Sequence, residues 1–467
     1  MERLTPLAAA FLDSEDEDPT TSMAIGSMAV FAGPAPSFEE FVRHIESRLP
    51  EIPRYRQTLR TVPLDLAPPA WVDDPDFDVR WHIRHTALPA PGGPEQVGRL
   101  VSRVMSRRMD RSRPLWEYWF CEGLAGGRWA LLSKLHHSMA DGVSGTDLYH
   151  LVLDPTPETR PGAPDTWKPA PSAPLISFVA GAAWHLARTP LTAATTIAKA
   201  LTSPRRLVRQ AGHTAQGLLT MSGALRPVDA SSLNGRLDGS LRYAWAQMPF
   251  DDVRTIRRGL GGTVNDVALA AVTGGFRQLL LSRSEDPTPH TLRSMVPVST
   301  REPGTEDVPD NRVSMMLPFL PVDLADPEDW LRVVQERVRA RRDAGEPQAG
   351  AAMFTLAEYE PFLPVSMGIR LGFHLPQRSI STVTTNVPGP RSTLYALGCE
   401  LEEILPFVPI GNRVRISVAI FSYRDTLTFG ITGDYSSVPD IDVLADGISA
   451  SMADLVDLAR RPVRAAT

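Results

Sequence analysis

The stretch LSKLHHSMADGVSG, residues 132–145, places two adjacent histidines, an aspartate and a glycine where an apolar strand runs out. Apolar residues alternate over 128–137, which predicts a strand. The residues that follow predict a helix. His137 would then lie at the carboxyl end of a strand, a common location for functional sites in α/β folds.

A histidine in this position has the chemistry of a general base. An unperturbed imidazole has a pKa of about 6.5 and can accept a proton at neutral pH. Asp141, four residues on, could bond to a ring nitrogen, or pair with an arginine and brace the turn. Gly142 lets a ligand or another backbone segment come close. The stretch therefore predicts a base, a brace and room for a ligand.

Three other interpretations of these residues stay open. The histidines could be satisfied core residues. His136, His137 and Asp141 could bind a metal ion, although adjacent strand residues point to opposite faces and would not easily reach one ion. Ser144 and Asp147 have the spacing of a helix capping box, which is compatible with a site next to it.

Other catalytic signatures are missing from the sequence. It contains no Gly-Xaa-Ser-Xaa-Gly motif for a serine nucleophile and no phosphate-binding loop of the P-loop type. The hypothesis is therefore that His137 acts directly on the substrate. It would deprotonate a hydroxyl or amine that attacks an activated acyl group.

Composition sets the class of protein. The chain has 467 residues, 43% hydrophobic content and a formal net charge of −6, which argues against a general nucleic-acid binder. Two cysteines, Cys121 and Cys399, form neither a disulfide framework nor a four-ligand zinc site, so a cytoplasmic location is expected. The acidic N-terminal segment does not resemble a secretory signal. No apolar run reaches the length that spans a bilayer, so any membrane contact is expected to be peripheral.

The order of predicted elements indicates two α/β (α+β) lobes joined by a long crossover. The expected boundaries are 1–160 for the first lobe, 161–235 for the crossover and 236–467 for the second lobe. Proline crowds residues 154–174, which predicts an exposed linker. Residues 175–222 have apolar side chains at helical spacing, which predicts one or two amphipathic helices that pack on a domain or touch lipid.

Strand and helix predictions in the two lobes are specific. A hairpin is predicted from 115–121 and 128–137, with glycines in its turn. In the second lobe a helix is predicted from about 264. Further strands are predicted at 292–298, 312–319, 380–386, 414–421 and 426–432, with a hairpin turn at SYRD before the last one.

The segment HHSMADG, residues 136–142, matches the HHxxxDG signature of the acyl-CoA-dependent acyltransferase superfamily. The N-terminal segment resembles the opening of bacterial wax ester synthase/diacylglycerol acyltransferases. Further blocks resemble the same family in the same order along the chain: PLWE at 114–117, NDVALAAVTGGFR at 265–277, VPVSTR at 296–301, NRVSMMLPFLPV at 311–322 and TNVPGP at 385–390.

This resemblance implies a two-lobed, chloramphenicol-acetyltransferase-like fold with a tunnel between the lobes. It implies that His137 is the general base, with His136 and Asp141 in support and Gly142 leaving space for the substrate. Asn265 would be an oxyanion donor at the start of a helix. Asp266 is either near the substrate or a helix cap with Thr263.

The resemblance also implies the substrates. A long-chain acyl group would pass from acyl-CoA, a substrate and not a cofactor, to diacylglycerol, and also to long-chain alcohols. Trp116 would line the acyl path, although packing in the core is the more common role of an aromatic residue there. Arginines at 103–108 or 337–341 are candidates for the CoA phosphates, or simply solvated helix faces. The protein would work at a membrane or lipid-droplet surface.

Two alternatives remain at this stage. One is another acyl transfer on the same scaffold, such as esterification of a polyketide-type lipid or a condensation reaction. The other is a non-catalytic relative that binds lipid or coats droplets. The sequence leaves acceptor preference, acyl chain length and oligomeric state open.

Overall fold

The computed structural model describes residues 2–62, 67–139, 152–171, 226–299, 313–346 and 377–461. The strands, in chain order, are β1 (Ala24–Phe31), β2 (Gln57–Arg60), β3 (Ala70–Asp73), β4 (Ile83–Ala87), β5 (Trp116–Leu124), β6 (Arg128–His136), β7 (Leu241–Pro249), β8 (Ser294–Ser299), β9 (Val313–Met316), β10 (Thr382–Pro388), β11 (Tyr395–Ala396), β12 (Cys399–Phe407), β13 (Ile416–Tyr423) and β14 (Thr426–Asp434). The helices are α1 (Pro6–Glu17), α2 (Phe38–Arg48), α3 (Val79–His82), α4 (Pro94–Met105), α5 (Phe250–Leu260), α6 (Val264–Ser282), α7 (Pro327–Asp343) and α8 (Ile441–Arg460).

The first lobe is built on a six-stranded sheet in the order β11-β12-β1-β6-β5-β4. β1 lies in the middle and pairs antiparallel with β6 on one side and with β12 on the other. β11 and β12 come from the second half of the chain. The structure therefore places part of 236–467 in the first sheet, because the chain crosses over to complete it and then returns.

The second lobe is built on a sheet in the order β7-β14-β13-β10-β8-β9. Its central strands β8, β10 and β13 are parallel and begin in register, since Thr382 of β10 is opposite both Ser294 and Ile416. A parallel arrangement requires crossover connections and buries both faces of the sheet. β13 is buried along almost its whole length, as this requires, whereas β10 is buried at two of its seven residues.

Helix α6 is the buried helix of the second lobe. It begins with a capping box, in which Thr263 and Asp266 satisfy each other's backbone N–H groups. Its apolar residues face almost every direction, as expected for a helix enclosed by others. Gly274 allows close packing, because an added Cβ would lie 2.5 Å from the Trp330 ring of α7 and 2.1 Å from Ser451 of α8.

The structure confirms the strands predicted around the second sheet, the helix from 264 and the hairpin turn after Tyr423. The predicted strand at 128–137 ends one residue earlier. His137 instead begins a short 3₁₀ turn, His137–Met139. In the described parts of the chain, seven strands were not predicted: β1, β2, β3, β4, β7, β11 and β12. The predicted helix at 175–222 lies outside the described residues.

The proline-rich segment, predicted to be a linker, is tied to the first lobe over its described part. Buried Arg48 forms an ion pair with buried Asp154, with a nitrogen–oxygen distance of 2.8 Å. Arg56 pairs with Asp165 at 2.6 Å, and its guanidinium lies 4.9 Å from the centre of the Trp167 ring. Most side chains between these anchors are exposed. The segment is therefore a strap fastened at two points.

Candidate active site

The ring of His137 lies in the turn that follows β6. Its backbone N–H donates to the carbonyl of Met23 at 2.9 Å, which fixes the turn against the start of β1. The imidazole stacks on Phe11 of α1, with ring centroids 3.8 Å apart and an interplanar angle of 23°. Part of its surface remains accessible. The ring is therefore held in place but is not enclosed in the core.

Burial, together with the neighbouring His136, lowers the pKa of His137 to about 4. A bond from the ring to the residue's own backbone carbonyl acts weakly in the other direction. Only Nδ1 can reach that carbonyl, so Nε2 is the nitrogen left to face a substrate. The ring is thus neutral at physiological pH, with a proton-accepting nitrogen available.

His136 has a different environment, entirely inside the protein. Its Nδ1 accepts hydrogen bonds from the Ser138 backbone N–H at 3.1 Å and from the Ser138 hydroxyl at 2.7 Å. Because Nδ1 accepts, the ring proton is on Nε2. That nitrogen lies 3.5 Å from Oε1 of Glu15. His136 therefore links the end of β6 to α1 and does not face solvent.

Glu15 is the residue of this cluster that the sequence analysis missed. Its buried carboxylate accepts a hydrogen bond from the Met23 backbone N–H at 2.6 Å and pairs with Arg111 at 3.1 Å. Burial alone would raise its pKa, but the hydrogen bond and electrostatic interaction with His136, with the Met23 and Arg111 bonds, lower it to about 2. The Glu15 carboxylate is therefore ionised, and it faces Nε2 of His136.

A sequence signal for Glu15 does exist. Ala8, Leu12 and Glu15 follow one another at the spacing of a single helix face, and all three are buried. An acidic residue on such an apolar face requires a buried partner. The acidic run around Glu15 argues against a signal peptide, and the same run contains this second signal.

Arg108 is a brace for the same helix and not a ligand for an anionic substrate. Its guanidinium donates to the backbone carbonyls of Thr21, Glu15 and Asp18, at 2.9 Å for Thr21. These carbonyls lie at and beyond the C-terminal end of α1, where a cation is favourable. Among the arginines at 103–108, Arg108 is therefore occupied by structural contacts.

Asn265 and Asn386, which the sequence analysis treated as separate motifs, lie together in the second lobe. The Asn386 amide donates to the Asn265 side-chain oxygen at 3.4 Å. This contact turns the amide nitrogen of Asn265 away from Asn386 and leaves it as a donor. The pair sits at the start of α6 and the carboxyl end of β10. The oxyanion role of Asn265 stays a prediction.

Asp266 and Trp116 have structural surroundings. The Asp266 carboxylate accepts from the backbone N–H and the hydroxyl of Thr263, at 2.8 and 2.9 Å, which is the helix-cap interpretation. Trp116 is fully buried, donates from its indole N–H to the Tyr55 carbonyl at 2.8 Å and stacks on His82. These contacts favour the cap and core interpretations over a place in substrate binding.

Some site predictions cannot be compared with the structure. Asp141 and Gly142 lie outside the described residues, as does the capping box proposed for Ser144. In the parts of the chain that are described, no group of three or more His, Cys, Asp or Glu side chains is arranged to hold a metal ion. In the same parts, no helix combines the length and apolar character needed to cross a membrane.

Comparison with known proteins identifies the family. Residues 4–268 match the wax ester synthase/diacylglycerol acyltransferase catalytic domain, and residues 310–456 match the C-terminal domain of the same family. A Mycobacterium tuberculosis protein named as a probable diacylglycerol O-acyltransferase, tgs1, is 41% identical over 462 residues, which cover 99% of this chain and 97% of that protein.

Solved structures agree with this result. The wax ester synthase/diacylglycerol acyltransferase from Marinobacter aquaeolei has a TM-score of 0.67 and 25% identity, with 98% of this chain and all of that chain covered. The first condensation domain of the calcium-dependent antibiotic synthetase, with a TM-score of 0.59 and 15% identity over 99% of this chain and 97% of that one, shares the fold. This chain belongs to the wax ester synthase/diacylglycerol acyltransferase family.

Proposed function

We propose that this protein transfers a long-chain acyl group from acyl-CoA to the free hydroxyl of diacylglycerol, forming triacylglycerol and free CoA. The observation that carries the proposal is the protonation, orientation and accessibility of the His137 ring, in a chain that belongs to this family. Its ring is neutral, oriented by Phe11 and partly accessible, and no described side chain bonds to it. A proton acceptor held in this way suits an alcohol that must lose its proton as it attacks.

The reaction has two proton transfers, both through His137. Nε2 accepts the hydroxyl proton while the alcohol oxygen forms a bond to the thioester carbonyl carbon. The tetrahedral intermediate then collapses, the carbon–sulfur bond breaks, and the imidazolium returns the proton to the leaving CoA sulfur. The ring ends neutral, so no external acid or base is consumed. No cofactor takes part in this scheme, since acyl-CoA is a substrate.

The other residues of the cluster position His137. Glu15 fixes the orientation of His136, and His136 adjoins the base in sequence and lowers its pKa. Asp141 is proposed as a brace of the following turn and Gly142 as the residue that leaves space for substrate. Asn265 is proposed to donate its amide to the oxyanion, a contribution of about 10²–10³-fold where such donors have been removed.

The test is the His137→Ala variant, assayed with palmitoyl-CoA and diolein after circular dichroism has shown that it folds. Loss of the general base should lower kcat by about 10²–10⁴-fold. His85→Ala is the matched control, because His85 is an exposed histidine of the same lobe that pairs with Glu122. It should retain wild-type turnover. Wild-type turnover in His137→Ala would reject the base assignment.

Acceptor preference needs a separate measurement. The family name covers both wax ester and triacylglycerol synthesis, and we propose diacylglycerol as the main acceptor with long-chain alcohols as secondary ones. One labelled acyl-CoA offered to diolein and hexadecanol together, with the products separated by thin-layer chromatography, gives the ratio directly. A product mixture dominated by hexadecyl ester would reverse this order.

The proposed lipid acceptor also suggests where in the cell the protein works. Since diacylglycerol resides in membranes and lipid droplets, we propose that the protein works peripherally at such a surface, on its cytoplasmic side. Liposomes containing diolein should carry the protein upward in a flotation gradient. A chain lacking 175–222 tests whether that segment makes the contact, and flotation equal to that of the full chain would exclude it.

A further inference from the structure

A small concave groove lies on the second lobe, away from His137. Its walls are Pro289, His290, Phe319, Arg337, Ala340 and Arg341, and it encloses about 250 Å³. We call it the arginine groove. Pockets that hold a whole drug-sized ligand usually measure about 300–1,000 Å³. The arginine groove is therefore of a size to hold one end of a larger ligand.

Positive charge dominates the arginine groove. Arg337 and Arg341 line it, and the guanidinium of Arg293 lies over the Phe319 ring at 4.1 Å. Burial, and after it the charge of Arg341, lower the pKa of Arg293 and of Arg337, so the Arg341 cation is unfavourable for both of the others. An anion bound among them would relieve this repulsion.

Acidic side chains lie near the groove but do not line it. Arg341 approaches the buried carboxyl of Glu346 at 3.4 Å, and burial raises the pKa of that carboxyl. Asp323 and Glu336 act on Arg337 through their charges. One guanidinium nitrogen of Arg337 donates a hydrogen bond to the Phe319 carbonyl at 2.9 Å. A guanidinium has five N–H donors, so others remain for a ligand. The described groups around the groove thus favour a phosphate ligand.

Arg293, beside the groove, and the loop that contacts the His137 turn both lie at the amino ends of the parallel strands of the second sheet. Arg293 directly precedes β8, and β8 begins in register with β10 and β13. The loop before β13 contains Gly411, where an added Cβ would lie 2.8 Å from the Met23 methyl group. Met23 in turn accepts the backbone N–H of His137. β8 and β13 are two strand spacings apart, about 10 Å.

From this arrangement we infer that the arginine groove binds the 3′-phosphate of the acyl-CoA donor through Arg337 and Arg341. The inference rests on the proposed function, because it takes acyl-CoA as the donor. A phosphomonoester carries close to two negative charges at neutral pH and presents several acceptor oxygens, which arginine pairs bind well. The pantetheine arm would then extend along the strand ends toward His137.

The test compares two donors that differ only in this phosphate, palmitoyl-CoA and palmitoyl-dephospho-CoA. Wild-type enzyme should show a lower KM for palmitoyl-CoA. In R337Q/R341Q the KM for palmitoyl-CoA should rise by about 10-fold or more, while the KM for the dephospho donor changes little. R339Q is the matched control. Arg339 is on the same helix, but its side chain is 85% exposed and the residue does not line the groove.

Direct binding separates this inference from the proposed function. Adenosine 3′,5′-bisphosphate should bind wild type and R339Q in calorimetry, and R337Q/R341Q should bind it at least 10-fold more weakly. If acyl transfer fails with every donor but this difference appears, the groove stands and the proposed function falls. If transfer proceeds but wild type does not distinguish the two donors, the groove assignment is wrong.

A phosphomonoester lipid headgroup offers the same chemistry. To test this lipid ligand, flotation of the protein with phosphatidate vesicles is compared with flotation with neutral vesicles. Binding to phosphatidate that is lost in R337Q/R341Q, together with equal KM values for the two donors, would assign the groove to a lipid and overturn the CoA assignment. Retained discrimination between donors in R337Q/R341Q would also overturn it.

Discussion

At His137 the surroundings act on the proton and not only on the position of the ring. The side chain of Phe11 covers one face, and the adjacent His136 disfavours the protonated form of the ring. A free histidine would be mostly protonated at pH 5, whereas His137, with a pKa of about 4, stays mostly neutral there. The base is therefore available over a wider acidic range than an exposed histidine would be.

The dependence of kcat/KM on pH follows from this shift. Below its pKa the ring is protonated and cannot accept the alcohol proton, so activity should fall only as pH drops toward 4. Between pH 7 and pH 5 the rate should change little. A base with an unshifted pKa of about 6.5 would lose about 25-fold over that interval. Initial rates in constant-ionic-strength buffers measure this, and a 25-fold loss by pH 5 would contradict the assigned state of His137.

Glu15 is a positioning residue, because it acts on His137 only through His136. In Glu15→Gln the shape remains but the charge that faces His136 is lost. We expect kcat to fall by on the order of 10-fold with little change in KM. Asp16→Asn is the matched control, since Asp16 is exposed and also pairs with Arg111. Equal kcat values for the two variants would remove Glu15 from the catalytic cluster.

The same variant has a signature in stability. The pKa of Glu15 is about 2 in the folded protein, below its usual value of 4.5. Its ionised form therefore stabilises the fold above pH 4.5, and this contribution is lost as pH falls from 4.5 toward 2. Urea unfolding at several pH values should show a shallower acid dependence in Glu15→Gln than in wild type. Parallel curves would mean that the carboxyl is not held ionised.

At the scale of elements, the start of α6 combines a structural cap with a proposed catalytic donor. Thr263→Ala removes the cap hydroxyl and should lower the free energy of unfolding by about 1 kcal/mol. Its kcat should stay near the wild-type value. Asn265→Ala should lower kcat with little effect on stability, since its amide is not part of the cap. Thermal unfolding and steady-state kinetics on both variants separate the two roles. A normal kcat in Asn265→Ala would exclude the oxyanion role.

The helix start was predictable because its determinants are local. Thr263 and Asp266 are three residues apart, and their spacing alone specifies the capping box. The contact between Asn265 and Asn386 joins residues 121 positions apart, and only the packing of α6 against β10 brings them together. Likewise, the spacing of Ala8, Leu12 and Glu15 shows that a carboxylate is buried, but it does not show that His136 is the partner.

At the scale of the whole molecule, the two lobes and their alternating elements could be predicted, but the strand exchange could not. β12 is a nine-residue segment with three glutamates, in a region that otherwise builds the second lobe. Nothing local shows that it pairs with β1, some 370 residues earlier, because pairing depends on long-range register. The exposure of the strap could be predicted, but its attachment to the first lobe could not, for a similar reason. Proline content gives its local conformation, whereas Arg48 and Arg56, which anchor it, lie far away in sequence.

The exchanged strand should make the lobes unfold together. Leu401 of β12 is fully buried and lies opposite Phe31 of β1. Leu401→Ala should destabilise the protein by about 2–5 kcal/mol, whereas Leu281→Ala, at a side chain that is 47% exposed, should cost far less. Hydrogen exchange followed by mass spectrometry can report β6 and β14 separately as denaturant increases. Because β12 continues through one short loop into β13, both strands should lose protection at the same lowered midpoint in Leu401→Ala. Loss of protection in β6 alone, with β14 unchanged, would show that the lobes fold independently despite the exchanged strand.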